Sequence, residues 1–177
     1  MKTDAFEALV APHREGLARF VAMMVGRETE DLVQASLAAA LKEADRFEGR
    51  SKFSTWLYGI ALNLCRKHLR DRSRRAATGG PELMEAQPSR AHGVLSSVLR
   101  HEMAERIKVA VGRLPTSMRE AFILRYAQGL DYPEIAEITG VSEGSARVRA
   151  FRARALLRQE LGAVVDTVWL EKDQDRA

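Results

Sequence analysis

Apolar residues recur at helical spacing along nearly the whole of this chain, and alternating β-branched runs do not occur. A chain patterned in that way buries its apolar stripes by packing helix on helix. Phe53, Trp56, Leu57, Ile60, Ala61 and Leu64 form one such unbroken stripe. The spacing predicts helices at about 4–25, 29–46, 53–74, 96–112, 116–128, 132–139 and 143–160. Between residues 76 and 95 the period lapses, and Gly79, Gly80, Pro81, Pro88, Ser89 and Gly93 take its place. That is the composition of a linker. The expected fold class is all-α: two small helical modules, 1–75 and 96–161, joined by a flexible linker, 76–95. An acidic tail, 162–177, follows. With 177 residues, 46% of them hydrophobic, the chain has material for two small cores.

Charge is distributed in blocks. Residues 1–45 carry 5 basic and 8 acidic side chains, whereas residues 46–76 carry 9 basic and 2 acidic. Residues 144–159 carry 5 arginines and no acid. Two basic blocks on a mildly acidic body point to a polyanionic partner, of which nucleic acid is the commonest. Cys65 is the only cysteine, so no internal disulfide forms, and a reducing, cytoplasmic setting is expected. His13, His68, His92 and His101 are too scattered to complete a zinc site with it, and no metal or other cofactor is expected. The longest apolar run, Phe20 to Val25, is far too short to span a bilayer.

The second module carries the stronger motif. Asp131 stands where it can cap a short helix, with Glu134 three residues on as in a capping box. Ile135, Ala136 and Ile138 are apolar, Gly140 supplies a turn, and Ser142 can cap the next helix. Two helices joined by about three residues with Gly in the turn are the sequence form of a helix-turn-helix. On the second helix, Ala146, Ala150, Ala153 and Leu157 share one face and Arg147, Phe151, Arg154 and Arg158 another. A duplex major groove admits one α-helix, and arginine is its commonest base reader.

In the first module the apolar stripe runs on into Arg66, Lys67, Arg70, Arg72, Arg74 and Arg75. A loop, Arg46-Phe47-Glu48-Gly49-Arg50-Ser51, precedes it. Aromatics beside arginines suit an unpaired strand, whose bases stack on rings while its backbone follows charge. Core packing is the other use for these rings, and Trp56 is expected there; for Phe47 both uses stay open. Glu30 and Asp31 open a helix, where acids complement the helix dipole.

Taken in order, several segments resemble one family. They are Glu30-Asp31-Leu32-Val33-Gln34, Phe53-Ser-Thr-Trp56-Leu57-Tyr58-Gly-Ile60-Ala61-Leu-Asn63 and Leu114-Pro115 with Arg119-Glu120-Ala121-Phe122. Tyr132-Pro-Glu134-Ile135-Ala136 and Arg147 with Phe151-Arg152-Ala153-Arg154 complete the set. The family is the extracytoplasmic-function (ECF) class of bacterial sigma factors, and the likeness covers about residues 5–160. It implies a non-catalytic transcription initiation factor whose partners are core RNA polymerase, promoter DNA and an anti-sigma factor, with no small-molecule substrate. Glu30, Asp31, Leu32 and Gln34 then correspond to the helix that docks on the largest polymerase subunit. Phe47, Tyr58 and Asn63 correspond to a pocket for a flipped base of the −10 element, with Arg50, Arg66, Lys67 and Arg70 lining the same strand. Arg147, Phe151 and Arg152, with Ser145, Val148 and Arg149 on the same helix, correspond to the reader of the −35 element. The chain departs from the family pattern at Ala146, where a larger aliphatic residue is common, and at Val148, where a polar one often faces DNA.

Two reading heads make physical sense. Melting duplex costs roughly 1.4 kcal/mol per stacked step, so a small module needs the polymerase as scaffold. A flexible linker also lets one inhibitor hold the two modules in a packing that buries Glu30–Gln34 and the arginine face of the second helix at once. A stand-alone helix-turn-helix regulator would instead bind palindromic duplex by itself, leaving the basic, aromatic first module without a role. A metal-dependent nuclease would need convergent carboxylates, and none cluster near the basic blocks.

Overall fold

A computed structural model describes residues 3–26, 29–78 and 95–162, with the side chains of 3, 4, 95–102 and 104 left out. It contains helices α1 (Thr3–Val10), α2 (Arg14–Val25), α3 (Thr29–Glu43) and α4 (Phe53–Ala77) in the first module. The second holds α5 (Leu95–Arg113), α6 (Thr116–Phe122), α7 (Tyr132–Thr139) and α8 (Glu143–Leu161). No strand occurs among the described residues. Much of the linker and tail expected from the sequence lies outside them.

Two expected helices are interrupted. The one expected at 4–25 breaks into α1 and α2 around a 3₁₀ turn, Ala11–His13. Pro12 causes the break, because it lacks an N–H and its ring crowds the preceding turn. The one expected at 116–128 is α6 followed by a π turn, Ile123–Ala127, in which Gln128 N–H donates to Ile123 O at 3.0 Å. That wider turn carries the chain to Gln128, at the junction of the modules.

Phe6, Val10, Leu17, Phe20, Val21 and Met24 of α1 and α2 pack against Val33, Leu37 and Ala40 of α3 and Leu57, Ala61, Leu62 and Cys65 of α4. In the second module, the same core continues with Ile107 and Val111 of α5 and Phe122, Leu124 and Ile135, beside Ala146, Ala150, Ala153 and Leu157 of α8. Each fully buried Leu or Phe contributes about 1.5–3 kcal/mol relative to exposure. The small-residue face of α8 is fully buried as its spacing requires. Ala146 sits at its start, so the departure from the family pattern there leaves a small side chain inside the core.

The two modules also pack on each other, α4 against α7 and α2 against the π turn and α5. Two arginines, one from α4 and one from α6, finish α2. Arg72 donates to Val25 O at 3.1 Å and Arg119 to Met24 O at 2.8 Å, satisfying carbonyls that a helix C-terminus leaves open.

Candidate nucleic-acid interface

The helix-turn-helix is built by its caps. Glu134 N–H donates to Asp131 Oδ1 at 2.9 Å, and Asp131 N–H donates back to Glu134 Oε2 at 3.0 Å. Gly140 ends α7 in the left-handed region, at φ 72° and ψ 33°, where a Cβ would be strained. Ser145 N–H donates to Ser142 Oγ at 3.2 Å to start α8. Asp131, Gly140 and Ser142 thus set the angle at which α8 leaves the turn.

At 100° per residue, the exposed side of α8 is centred on Ser145, Val148, Phe151 and Arg152. Phe151 is 67% exposed and Val148 47%, an apolar pair with no core to join. Arg147 flanks this face on the α7 side. Its guanidinium lies 4.7 Å from the centre of the Tyr132 ring and 2.9 Å from Glu143 Oε1. Arg125 covers the same ring at 5.0 Å. Arg149 flanks the face on the other side and lines a groove of about 460 Å³ with Arg66, Leu69, Arg70, Thr116 and Glu120. It is half-buried, and therefore set apart from the other five expected readers.

The first module presents its residues differently from the expectation. Phe47, Phe53 and Trp56 form one aromatic cluster, with Phe47 centred 5.2 Å from Trp56 and 5.6 Å from Phe53. Phe47 is half-buried in it, and Trp56 is half-buried rather than a full core residue. Asn63, Lys67 and Arg70 are exposed on α4. Arg50 is exposed in the loop and paired with Glu48 at 2.9 Å.

Tyr58 is the main correction. It is 4% exposed, packs on Phe20 at 5.3 Å, and donates its hydroxyl to Gln128 Oε1 at 2.6 Å. Burial pushes the phenol up to about 12, so it stays a donor. The reason is register: Tyr58 shares a helix face with Ala61, Leu62 and Cys65, while Asn63 lies about 140° further round. The pocket of Phe47, Tyr58 and Asn63 is therefore not assembled in this packing. Arg66 is likewise engaged, donating from Nε and Nη2 to Glu120 at 2.7 Å each and from Nη2 to Thr139 O at 3.3 Å.

Glu30, Asp31 and Gln34 are exposed on the first turns of α3, and Leu32 is half-buried against the core. Gln34 donates to Glu30 at 3.0 Å. The packing of the modules buries neither Glu30, Asp31 and Gln34 nor the centre of the α8 face.

Sequence reasoning read Glu120 only as part of a motif and gave no site role to Gln128. Glu120 did leave a signal, a carboxylate directly ahead of the apolar run Ala121-Phe122-Ile123-Leu124.

A helix-turn-helix with an exposed face on its second helix, joined to a helical module with exposed cations, defines a two-module protein suited to nucleic acid. Residues 9–75 match the family model of sigma-70 region 2 and residues 104–157 that of sigma-70 region 4. The chain is 32% identical over 169 residues to the ECF RNA polymerase sigma-E factor of Escherichia coli K12, covering 91% of this chain and 88% of that protein. It is 34% identical over 161 residues to the RNA polymerase sigma factor CarQ of Myxococcus xanthus, covering 90% of each. Among solved structures it is similar to the sigma factor RpoE of Bartonella quintana in complex with the anti-sigma factor NepR. The TM-score there is 0.74 at 28% identity, over 89% of this chain and 96% of that one. It is also similar to CnrH in complex with the cytosolic domain of CnrY, with TM-score 0.67 at 31% identity, over 92% and 90%. The chain belongs to the ECF class of the sigma-70 family, transcription initiation factors that give RNA polymerase its promoter specificity.

Proposed function

We propose that this chain acts in the cytoplasm, without catalysing a reaction of its own, by docking on core RNA polymerase and reading two promoter elements. The observation that carries the reading is the open face of α8, where Arg147 and Arg152 stand beside exposed Val148 and Phe151. Arginine reads guanine edges, and apolar side chains contact the thymine methyl, so this face suits a mixed duplex sequence at the −35 element. Ser145 supplies a hydroxyl to the same groove, and Arg149 reaches backbone phosphate from the flank. Phe47, Asn63, Arg50, Lys67 and Arg70, joined by Tyr58 and Arg66 once the modules part, take the opened −10 strand. Glu30, Asp31, Leu32 and Gln34 form the polymerase contact. An anti-sigma factor is the third partner, a reading supported by the similar RpoE, solved in complex with one.

The test is transcription in vitro from a genomic library with core enzyme and this chain, with sequencing of transcript starts. One shared pair of elements upstream of the starts is the expected result, and Asp31→Arg should lower co-purification with core while preserving the fold. Starts without a common −35 element, or binding to duplex that is indifferent to core enzyme, would instead favour the stand-alone regulator.

A further inference from the structure

Three arginines from two helices line one groove. Arg66 and Arg70 of α4 stand there with Arg149 of α8, around a volume of about 460 Å³. Leu69, half-buried against the core, gives the groove an apolar wall, and the hydroxyls of Ser73 and Thr116 belong to the same lining. Glu120 is the one carboxylate among the lining residues. Both of its oxygens accept from Arg66, at 2.7 Å each, and it is only 2% exposed. Its charge is therefore matched where it stands. Arg70 and Arg149 have no hydrogen-bond or ion-pair partner among the described residues.

Unmatched guanidiniums on one concave surface repel each other and concentrate anions between them. Each is a planar fork of N–H donors that fits phosphate oxygens two at a time. Forks on different helices, with hydroxyls beside them, suit an oxyanion that accepts from several sides, whereas a carboxylate accepts in one plane. A single phosphate fills only a small part of the groove. Its volume falls instead within the range of small-ligand clefts, about 300–1,000 Å³. A chain of phosphates suits that space, with Leu69 as a wall for an apolar portion. Promoter DNA does not supply this ligand. Arg149 is expected at the −35 element and Arg66 and Arg70 at the −10 strand. Elements centred near −35 and −10 lie about 25 base pairs apart, or about 85 Å along B-DNA. Residues that line one groove cannot serve both, so these cations share one anion only away from the promoter.

We infer that the groove between α4, α6 and α8 binds a small polyphosphate anion, either inorganic or the phosphate chain of a nucleotide. Setting DNA aside as the shared ligand rests on the sigma-factor reading of Arg70 and Arg149; the groove and its charges do not. The bound anion takes up Arg70 and Arg149, so it and promoter DNA compete for the free chain.

The test is calorimetric titration of the full-length chain with inorganic tripolyphosphate and, separately, with ATP, in metal-free buffer at constant ionic strength. One saturable site per chain is expected. Equal affinities assign recognition to the phosphate chain alone, and tighter ATP assigns a share to the nucleoside. Arg149→Gln should weaken tripolyphosphate binding about tenfold, the size of a lost hydrogen bond to a charged group. Ser73→Asp should do the same by bringing a carboxylate to the groove without removing an expected DNA contact. Lys67→Gln removes an exposed cation of α4 that does not line the groove, and should leave affinity unchanged. Circular dichroism checks that helix content is kept; Arg149 and Ser73 lie on different helices, so either variant decides if the other unfolds. No saturable site on the wild type, unchanged affinity in Arg149→Gln and Ser73→Asp, or an equal loss in Lys67→Gln overturns the proposal. The last of these would mark diffuse attraction to a basic surface. Transcription by core enzyme with the wild-type chain, run without polyphosphate, decides the sigma-factor reading separately.

Discussion

Tyr132 shows how a single residue prepares the reading face. The Arg125 and Arg147 guanidinium groups both lie over its ring, and Glu143 holds that of Arg147 from the preceding turn of α8. Arg147 is thereby fixed along one flank of α8 before DNA arrives, which lowers the entropy lost on binding. An exposed cation–π contact is worth about 0.5–1 kcal/mol, a two- to fivefold effect on affinity. Tyr132→Leu should weaken holoenzyme binding to −35 duplex by that factor. In an Arg147→Ala background it should have no further effect, a coupling that a double-mutant cycle of promoter affinities measures. Additive losses would mean that Tyr132 acts independently of Arg147. The exposure of Arg147 was legible in the sequence, because it stands off the small-residue face of Ala146, Ala150, Ala153 and Leu157 that the core takes up. Its support was not, since Tyr132 comes from a different helix and reads in sequence only as one residue of a shared motif. Arg149 shows the same limit, because composition alone does not say which flank of the helix faces the other module.

Helix boundaries were the most legible part of the fold, because their causes are local. Asp131, Gly140 and Ser142 stop and start α7 and α8 through bonds to their own neighbours. The break at Pro12 was missed although its cause is local, because the apolar period running through it pointed to one continuous helix. The π turn at Ile123–Ala127 has no such local cause, and the sequence offered nothing to separate it from an α-helix. Removing the α7 cap with Asp131→Ala should cost about 0.5–2 kcal/mol, read as a lower melting temperature. Glu134 adds a pH dependence. Burial pushes its carboxyl up, but the bonds from Asp131 N–H, Lys52 and Thr55 together outweigh this and hold it below the usual carboxylate value. A carboxyl lowered by folding stabilises the fold fully above its unfolded value, and that contribution is lost as pH falls through the folded one. Glu134→Gln has no such titration. The melting temperatures of wild type and Glu134→Gln should therefore differ most above about pH 5 and converge in more acid buffer. A gap that stays constant with pH would mean that the charge on Glu134 contributes nothing.

At the scale of the molecule, the two modules and their order were readable, but their mutual packing was not. Nothing in the pattern of α4 distinguishes an arginine waiting for phosphate from one already bound to Glu120, since both stand at the edge of an apolar stripe. The packing changes what the free chain can bind. Arg147, Val148, Phe151 and Arg152 are open to duplex, while Tyr58 and Arg66 are closed to a strand. The free chain should therefore bind duplex weakly and with steep salt dependence, since log affinity falls by about 0.9 per log salt for each phosphate neutralised. It should bind a single strand carrying the −10 bases more weakly still. A Cβ at Gly16 would lie 2.7 Å from the Tyr58 hydroxyl and 3.1 Å from Gln128 Oε1, so Gly16→Ala leaves every charge in place while pressing on the Tyr58–Gln128 contact. Base stacking on an aromatic side chain is worth about 1–3 kcal/mol, so a freed Tyr58 should raise single-strand affinity at least about fivefold. Duplex affinity should not move, because the α8 face is open in both forms. Fluorescence anisotropy with the two labelled oligonucleotides, over a series of salt concentrations, measures both. A parallel rise in duplex and single-strand binding would point to a general loosening of the chain, and equal single-strand binding by wild type and variant would show that the closed packing does not guard the strand-reading side chains.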